Sequence, residues 1–287
     1  MRKIILLILM LGIAKVYSQS KSYDYCYVNK KGICVYSLMD KKEYLVVKKG
    51  TDPCISPDGT KVAYTSMLNG IDRVINVIDL NTKKITKLNT NSINCYGAMW
   101  SPDGKYIAYN VFNLEKSRWY IAIIDAANTS FKILTEQLEQ CYAPTWSADS
   151  QAVVIQNIDN VHIFDLSGNI NNTYKVSDIT KTLGPSSSDR FVLTPDRKKI
   201  VFSTEVDEPG YEEGPPTAVY AYDIASRSTV RLSPKGYYGR GVIIKNNKVL
   251  FSGGKVTSTI ENTYTVDLDG KNLKVLFPNA NTISAKN

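Results

Sequence analysis

Residues 100–109 read Trp100-Ser-Pro-Asp-Gly-Lys-Tyr-Ile-Ala-Tyr109, and residues 55–64 read Ile55-Ser-Pro-Asp-Gly-Thr-Lys-Val-Ala-Tyr64. A weaker copy follows at Trp146-Ser-Ala-Asp-Ser-Gln-Ala-Val-Val-Ile155. A fourth is Leu193-Thr-Pro-Asp-Arg-Lys-Lys-Ile-Val-Phe202, and a degenerate fifth is Ile244-Lys-Asn-Asn-Lys-Val-Leu-Phe251. Successive copies lie 45, 46, 47 and about 50 residues apart, the period of a β-propeller blade. The motif closes a hairpin. Pro presets φ, Asp accepts backbone hydrogen bonds, and Gly takes the left-handed conformation between two apolar strands. Where Gly is lost, Ser150 and Arg197 must bear that geometry or the turn must change, whereas Asn246-Asn247 tolerates it.

A second signature fixes the blade count. Each motif is followed by an apolar strand ending in Asp, namely Val74–Asp79, Tyr120–Asp125, Val161–Asp165, Ala218–Asp223 and Thr263–Asp267. Short strands such as Ile85–Leu88, Phe131–Leu134 and Val230–Leu232 come next. An extra third-strand copy, Val35–Asp40, precedes the first turn motif. Six third strands against five turn motifs leave one innermost strand missing, and the expected donor is the C-terminus near Asn281–Ser284. The two chain ends then share one blade, which removes the open sheet edges. The sequence therefore predicts an all-β, six-bladed β-propeller of four-stranded antiparallel blades, its first blade closed by the C-terminal strand. A seventh blade would need another ~40–45 residues.

These residues resemble the repeats of the TolB-like propeller family, whose core reads Trp-Ser-Pro-Asp-Gly-Lys-x-Ile-Ala-Tyr. The likeness spans nearly all the chain beyond its leader and is most specific at Ser56–Tyr64 and Trp100–Tyr109. It implies a periplasmic or secreted propeller engaged in protein–protein contact, often in cell-envelope assemblies. TolB carries an additional N-terminal α/β domain. Only a few residues separate the leader from the first strand here, so the expectation is the propeller alone. The same fold hosts peptidases and lyases, so activity must be argued from a site.

The leader is a basic Met1-Arg-Lys3, an apolar run from Ile4 to Ala14, and Val16-Tyr17-Ser18-Gln19. That is the layout of a secretory signal peptide cut after Ser18, followed by one propeller domain over 19–287. The run is short for a membrane span of about 20 residues, and no span is expected after cleavage. Cleavage removes Arg2, Lys3 and Lys15, lowering the net charge from +8 to +5. The remaining lysines are scattered over turns, such as Lys83-Lys84 and Lys198-Lys199. They do not form the single basic face that nucleic acid requires. A periplasmic or secreted monomer that binds no nucleic acid is the expectation.

Loops entering the innermost strands of a propeller converge on the mouth of its central channel. Those positions here include Thr51-Asp52-Pro53, Cys95-Tyr96-Gly97, Cys141-Tyr142-Ala143-Pro144, Ser188-Asp189-Arg190 and Tyr237-Tyr238-Gly239-Arg240. Asp52, Tyr96, Tyr142, Asp189, Arg190, Tyr238 and Arg240 are the candidate binding residues. Tyrosine offers a flat apolar face with a hydroxyl, and arginine a forked donor to carboxylates. Tyrosines that only pack between blades are the competing explanation. Two loops on the same face stand out, Asn113–Arg118 and the acidic, proline-rich Glu205–Pro216, whose charge against the basic body could hold it down. Trp100, Trp146 and Trp119 are assigned to packing.

No catalytic residues are assigned. The one histidine, His162, lies mid-strand in Asn160–Asp165, away from the mouth, and no nucleophile-elbow sequence is present. A single histidine cannot supply a multi-histidine metal cluster, and Asp267-Leu-Asp-Gly270 is too short for an EF-type calcium loop. No cofactor and no metal are expected. Five cysteines, Cys26, Cys34, Cys54, Cys95 and Cys141, leave at least one thiol unpaired, and buried free thiols are favoured over a bridge. The expected role is a non-catalytic interaction or scaffold module of the cell envelope, binding a protein or peptide. The alternatives are a glycan or small-ligand binder at the same mouth, and a hydrolase or lyase built on channel carboxylates.

Overall fold

The structure, a computed structural model, describes residues 20–90, 92–209 and 215–286. The expected leader falls on residues outside this set. Among the described residues no helix is long and apolar enough to cross a membrane.

Six four-stranded antiparallel sheets form the ring. Blade 1 holds β1 (Tyr25–Asn29), β2 (Gly32–Ser37) and β3 (Lys42–Val47). Blade 2 holds β4 (Thr51–Ile55), β5 (Lys61–Leu68), β6 (Asp72–Asp79) and β7 (Ile85–Lys87). Blade 3 runs β8 (Cys95–Trp100), β9 (Tyr106–Asn113), β10 (Arg118–Asp125) and β11 (Phe131–Ile133). Blade 4 runs β12 (Tyr142–Trp146), β13 (Ala152–Gln156), β14 (Asn160–Asp165) and β15 (Ile170–Lys175). A short helix, α1 (Val176–Ile179), follows before blade 5, which holds β16 (Phe191–Leu193), β17 (Lys199–Glu205), β18 (Thr217–Asp223) and β19 (Ser228–Arg231). Blade 6 holds β20 (Tyr237–Lys245), β21 (Lys248–Lys255), β22 (Asn262–Asp267) and β23 (Lys274–Phe277). The last strand, β24 (Asn281–Ala285), pairs antiparallel with β1 and becomes the innermost strand of blade 1. The closure expected from the strand count is therefore the one observed.

The turn motif recurs as one hydrogen-bond pattern. Ser56, Ser101, Ser147 and Thr194 each donate their hydroxyl to the Asp two residues on, at 2.6–2.7 Å. Each hydroxyl also accepts the N–H of the residue five on, at 2.9 Å. Each Asp takes a further backbone N–H at 3.0–3.1 Å. Hydrogen bonding to the ionised form lowers a carboxyl pKa. Bonding to Ser147 and to Thr194 is the main reason that Asp149 and Asp196 lie below the ordinary range. The glycines keep positive φ at Gly59 and Gly104. Ser150 (φ 61°), Arg197 (φ 58°), Asn246 (φ 50°) and Asn247 (φ 58°) adopt the left-handed geometry demanded of them.

Apolar strand faces meet between blades. Six buried clusters occur, one at each blade–blade interface, with Trp100 in that of blades 2 and 3 and Trp146 in that of blades 3 and 4. The Trp146 indole N–H donates across its interface to the Met99 carbonyl at 2.9 Å. All five cysteines are buried and free. Burial pushes their thiols up, to about 11 at Cys34 and about 12 at Cys141.

Each of β4, β8, β12 and β20 carries a register shift. The residue four before the turn Ser, or its counterpart Lys245, has positive φ there: Asp52 (49°), Gly97 (68°), Ala143 (53°) and Gly241 (64°). Arg190 holds the same repeat position in blade 5. These bulges turn backbone groups out of the ladder, and polar residues on the second strands, one past Tyr64, Tyr109 and Ile155, catch backbone groups at the strand entries. Thr65 accepts the Gly97 N–H at 3.2 Å. Asn110 accepts the Ala143 N–H at 3.0 Å and donates to the Tyr96 carbonyl at 3.2 Å. Gln156 donates to the Ser186 carbonyl at 2.8 Å and to the Asp189 carbonyl at 3.3 Å. Thr65, Asn110, Gln156 and Ser203 are all buried, so these latches hold the entries to the inner strands in place.

Candidate functional site: the channel mouth

The inner strands β4, β8, β12, β16 and β20 all start on one face, which places the predicted residues around one opening. Tyr96 is its best-fixed side chain. Its ring packs edge-on against Trp119 with centroids 5.2 Å apart, and Trp119 packs against Phe112 at 5.0 Å. The Arg73 guanidinium lies over Tyr96 at 4.1 Å and near Trp119 at 5.0 Å, while its Nε donates to Asn94 at 2.9 Å. Burial pushes the Tyr96 phenol up. Arg73 and Arg190 pull it back, and Asp52 and Tyr142 push the other way, so all four lie within electrostatic reach of the Tyr96 hydroxyl. The mouth thus brings Asp52, Tyr96, Tyr142 and Arg190 together from four successive blades. All four are partly buried. Tyr142 donates its hydroxyl to Gln140 at 3.2 Å.

Asp189 is placed differently. It is the only buried carboxylate among the described residues, at 3% exposure. It accepts the Ser186 N–H at 2.8 Å, the Ser186 hydroxyl at 2.9 Å and the Ser203 hydroxyl. Burial raises its pKa, while those hydrogen bonds and the nearby Arg240 act to lower it. Its carboxylate braces the entry to β16 from inside. Arg240 stands at the rim in an ion pair with Glu261 at 2.9 Å, and Glu261 also accepts from Asn281 at 2.6 Å. The ring of Tyr238 lies over Gly254, where a Cβ would come within 3.2 Å of it.

Sequence reasoning missed Arg73 and Glu261 and gave Trp119 a packing role only. Arg73 and Trp119 begin third strands, which return to the mouth after the second-to-third loop, and that topology was the available signal. The described part of the acidic loop is held down by the Glu208–Arg231 ion pair, with Arg231 Nη2 3.1 Å from Glu208 Oε2. Residues 210–214 of that loop lie outside the described set.

The channel's enclosed space is at the other end. A cavity of about 120 Å³ touches the inner strands of all six blades and is lined by Pro57, Met99, Trp100, Trp146, Val192 and Val242 among others. It is mainly apolar and lies toward the Ser-Pro-Asp-Gly turns, away from the tyrosines. Among the described residues, no group of three His, Cys, Asp or Glu side chains is arranged to hold a metal ion. His162 is buried in β14, its Nδ1 2.9 Å from the Thr173 hydroxyl, and burial lowers its pKa.

Residues 37–144 match the sequence profile of the prolyl oligopeptidase N-terminal β-propeller domain. No curated protein matches in sequence. Among solved structures the chain is similar to a TolB protein from Agrobacterium tumefaciens, with 16% identity, a TM-score of 0.65 and 90% of each chain covered. It is also similar to TolB from Acinetobacter baumannii, with 17% identity and a TM-score of 0.64, over 91% of this chain and 65% of that one. A puromycin-hydrolysing peptidase from Mycobacterium tuberculosis aligns at 16% identity and a TM-score of 0.56, over 88% of this chain and 41% of that one. At these identities the likeness is one of fold.

Proposed function

On the premise that this chain is a TolB-like β-propeller, we propose that it is a non-catalytic interaction module of the cell envelope, exported to the periplasm or beyond, that binds a protein or peptide at its channel mouth. The observation that carries this is the convergence of Asp52, Tyr96, Tyr142 and Arg190 from four blades on one opening. A peptide segment presents both apolar side chains and hydrogen-bonding backbone, and tyrosine and arginine suit both. Asp189, the single buried carboxylate among the described residues, is taken up in bracing a loop, and His162 lies in the body of blade 4. Neither is placed for paired acid–base chemistry. Export rests on the leader sequence.

The test is affinity capture from envelope extract with the native protein and with a Tyr96→Ala, Tyr142→Ala, Arg240→Ala variant, checked for an unchanged circular dichroism spectrum. Partners should be lost from the variant. Retention of every partner would remove the mouth as the binding site. Export is checked by the N-terminal peptide of the protein recovered from its native host, which should begin at Gln19. A full-length chain confined to the cytosol would end that part of the proposal.

A further inference from the structure

Side chains leave a cavity of about 120 Å³ at the turn end of the channel, away from the mouth. One side chain from each blade rings it: Ser284, Cys54, Met99, Thr145, Val192 and Ile243, from blades 1 to 6 in order. Each stands two residues before the turn Ser or its counterpart, so a single repeat position builds the ring. Protein interiors are packed about as densely as organic crystals, and an unfilled void lowers stability as its volume grows. A void held at one level by all six blades is therefore a feature with a cost.

The wall is chemically uniform. No Asp, Glu, Lys, Arg or His among the described residues lines it. Its polar side-chain atoms are turned to neighbouring blades. The Thr145 hydroxyl donates to the Phe191 carbonyl at 2.6 Å, and the Ser284 hydroxyl accepts the Ile55 N–H at 3.2 Å. The Cys54 sulfur accepts the Trp100 N–H at 3.4 Å, and the Trp146 indole donates to the Met99 carbonyl at 2.9 Å. Trp100 Nε1 has no partner among the described residues, but it is sealed from solvent and so offers the cavity no donor. Met99, Val192 and Ile243 each keep part of their surface open, and they lie on inner strands, which border the channel. The ring therefore presents carbon surface. The free edges of the inner strands supply main-chain N–H and C=O groups beside it.

Size and chemistry together select the guest. An apolar protein cavity of about 150 Å³ takes up benzene. Small-molecule sites combine an apolar wall with a few polar groups, as here. A charged guest would lose its hydration and meet no countercharge. We propose that the turn end of the channel is a binding site for a free, uncharged, single-ring compound with at most one small polar substituent, of the toluene or phenol class. The site is separate from the channel mouth and stands or falls independently of it.

Four probes test this: toluene, phenol, benzoate and N-acetylphenylalanine amide. Toluene and phenol should show saturation-transfer NMR signals with the native protein and raise its Tm by about 2 °C or more near saturation. Benzoate and the amide should do neither. The Met99 methyl resonance reads contact with the wall directly. It should move with phenol and stay in place with benzoate. Val192→Phe puts a ring into the void from blade 5, and Ile243→Phe does so from blade 6. A filled variant should match or exceed the native Tm without ligand and lose the toluene and phenol signals. The Met99 readout on native protein decides the matter if neither variant folds. No signal from toluene or phenol near their solubility limits overturns the proposal, as does a Met99 methyl that phenol leaves unmoved. Benzoate binding as tightly as phenol, or ligand signals that persist in a folded filled variant, does so too. A response to the amide as strong as that to toluene would assign the cavity to a partner's side chain and overturn the free-ligand reading.

Discussion

At the residue scale, most of the informative side chains are polar groups that settle accounts for a distorted backbone. Asn110 satisfies two main-chain groups on two adjacent blades, the Tyr96 carbonyl and the Ala143 N–H. Leaving buried groups unpaired costs about 1–3 kcal/mol each. Asn110→Ala should therefore lower unfolding free energy by about 2–4 kcal/mol in guanidinium titrations, and a loss below about 0.5 kcal/mol would show that the latch is not needed. His162 provides a clean titration because it is the only histidine. Burial lowers its folded-state pKa below the ordinary value of about 6.5. The unfolded chain then binds the proton more readily, so stability falls as pH drops below that value. Native protein should lose thermal stability between pH 7 and pH 5.5, by at most about 1.4 kcal/mol per pH unit, and His162→Gln should not. Asp189, whose pKa is raised, acts with the opposite sign at lower pH.

At the element scale, the hairpin turn is the repeating unit of stability. Arg197 sits at φ 58° and makes only an exposed ion pair to Asp149, a kind of contact worth little. Arg197→Gly should relieve left-handed strain and gain up to about 1 kcal/mol. Ser150 has a similar φ of 61°, yet its hydroxyl accepts the Asp103 N–H at 2.9 Å from the neighbouring blade. Ser150→Gly should gain nothing or lose stability. Equal gains at both positions would show that the inter-blade bond is idle. Acid should strain the same turns. Asp149 and Asp196 are held below the ordinary carboxyl range by Ser147 and Thr194. Their contribution is whole above pH about 4 and is lost as pH falls through the depressed folded values. These turns were legible because serine or threonine, Asp and a left-handed residue must stand at fixed offsets. The inner-strand bulges were not. Gly97 and Gly241 suit the positive φ of that position, but Ala143 has no local preference for it, so the residue there does not announce its bulge.

At the scale of the molecule, stability depends on the ring being shut. β24 buries Ile283 and covers β1, whose Tyr25 and Tyr27 pack with Phe277 across the junction of blades 6 and 1. Removing residues 281–287 should leave β1 as an open edge and drop the Tm by at least about 5 °C, since burial of one Ile alone is worth about 1.5–3 kcal/mol. A truncated chain with native Tm would mean the ring does not need its seam.

The repeat spacing, the turn residues and the excess of third strands over turn motifs were enough to derive six blades closed by the C-terminus, because each is a local requirement written once per blade. The same repeats located the mouth, since the start of every inner strand must lie on one face. Which mouth residues remain available was decided only in three dimensions. Arg240 and Arg190 look alike in sequence, each beside an inner strand. Glu261 and Asp189 supply the difference: Glu261 reaches Arg240 from β22's approach, while Asp189, next to Arg190 in sequence, is turned inward to Ser186 and Ser203. Charge pairing depends on distances between blades far apart in the chain, and no period in the sequence encodes it.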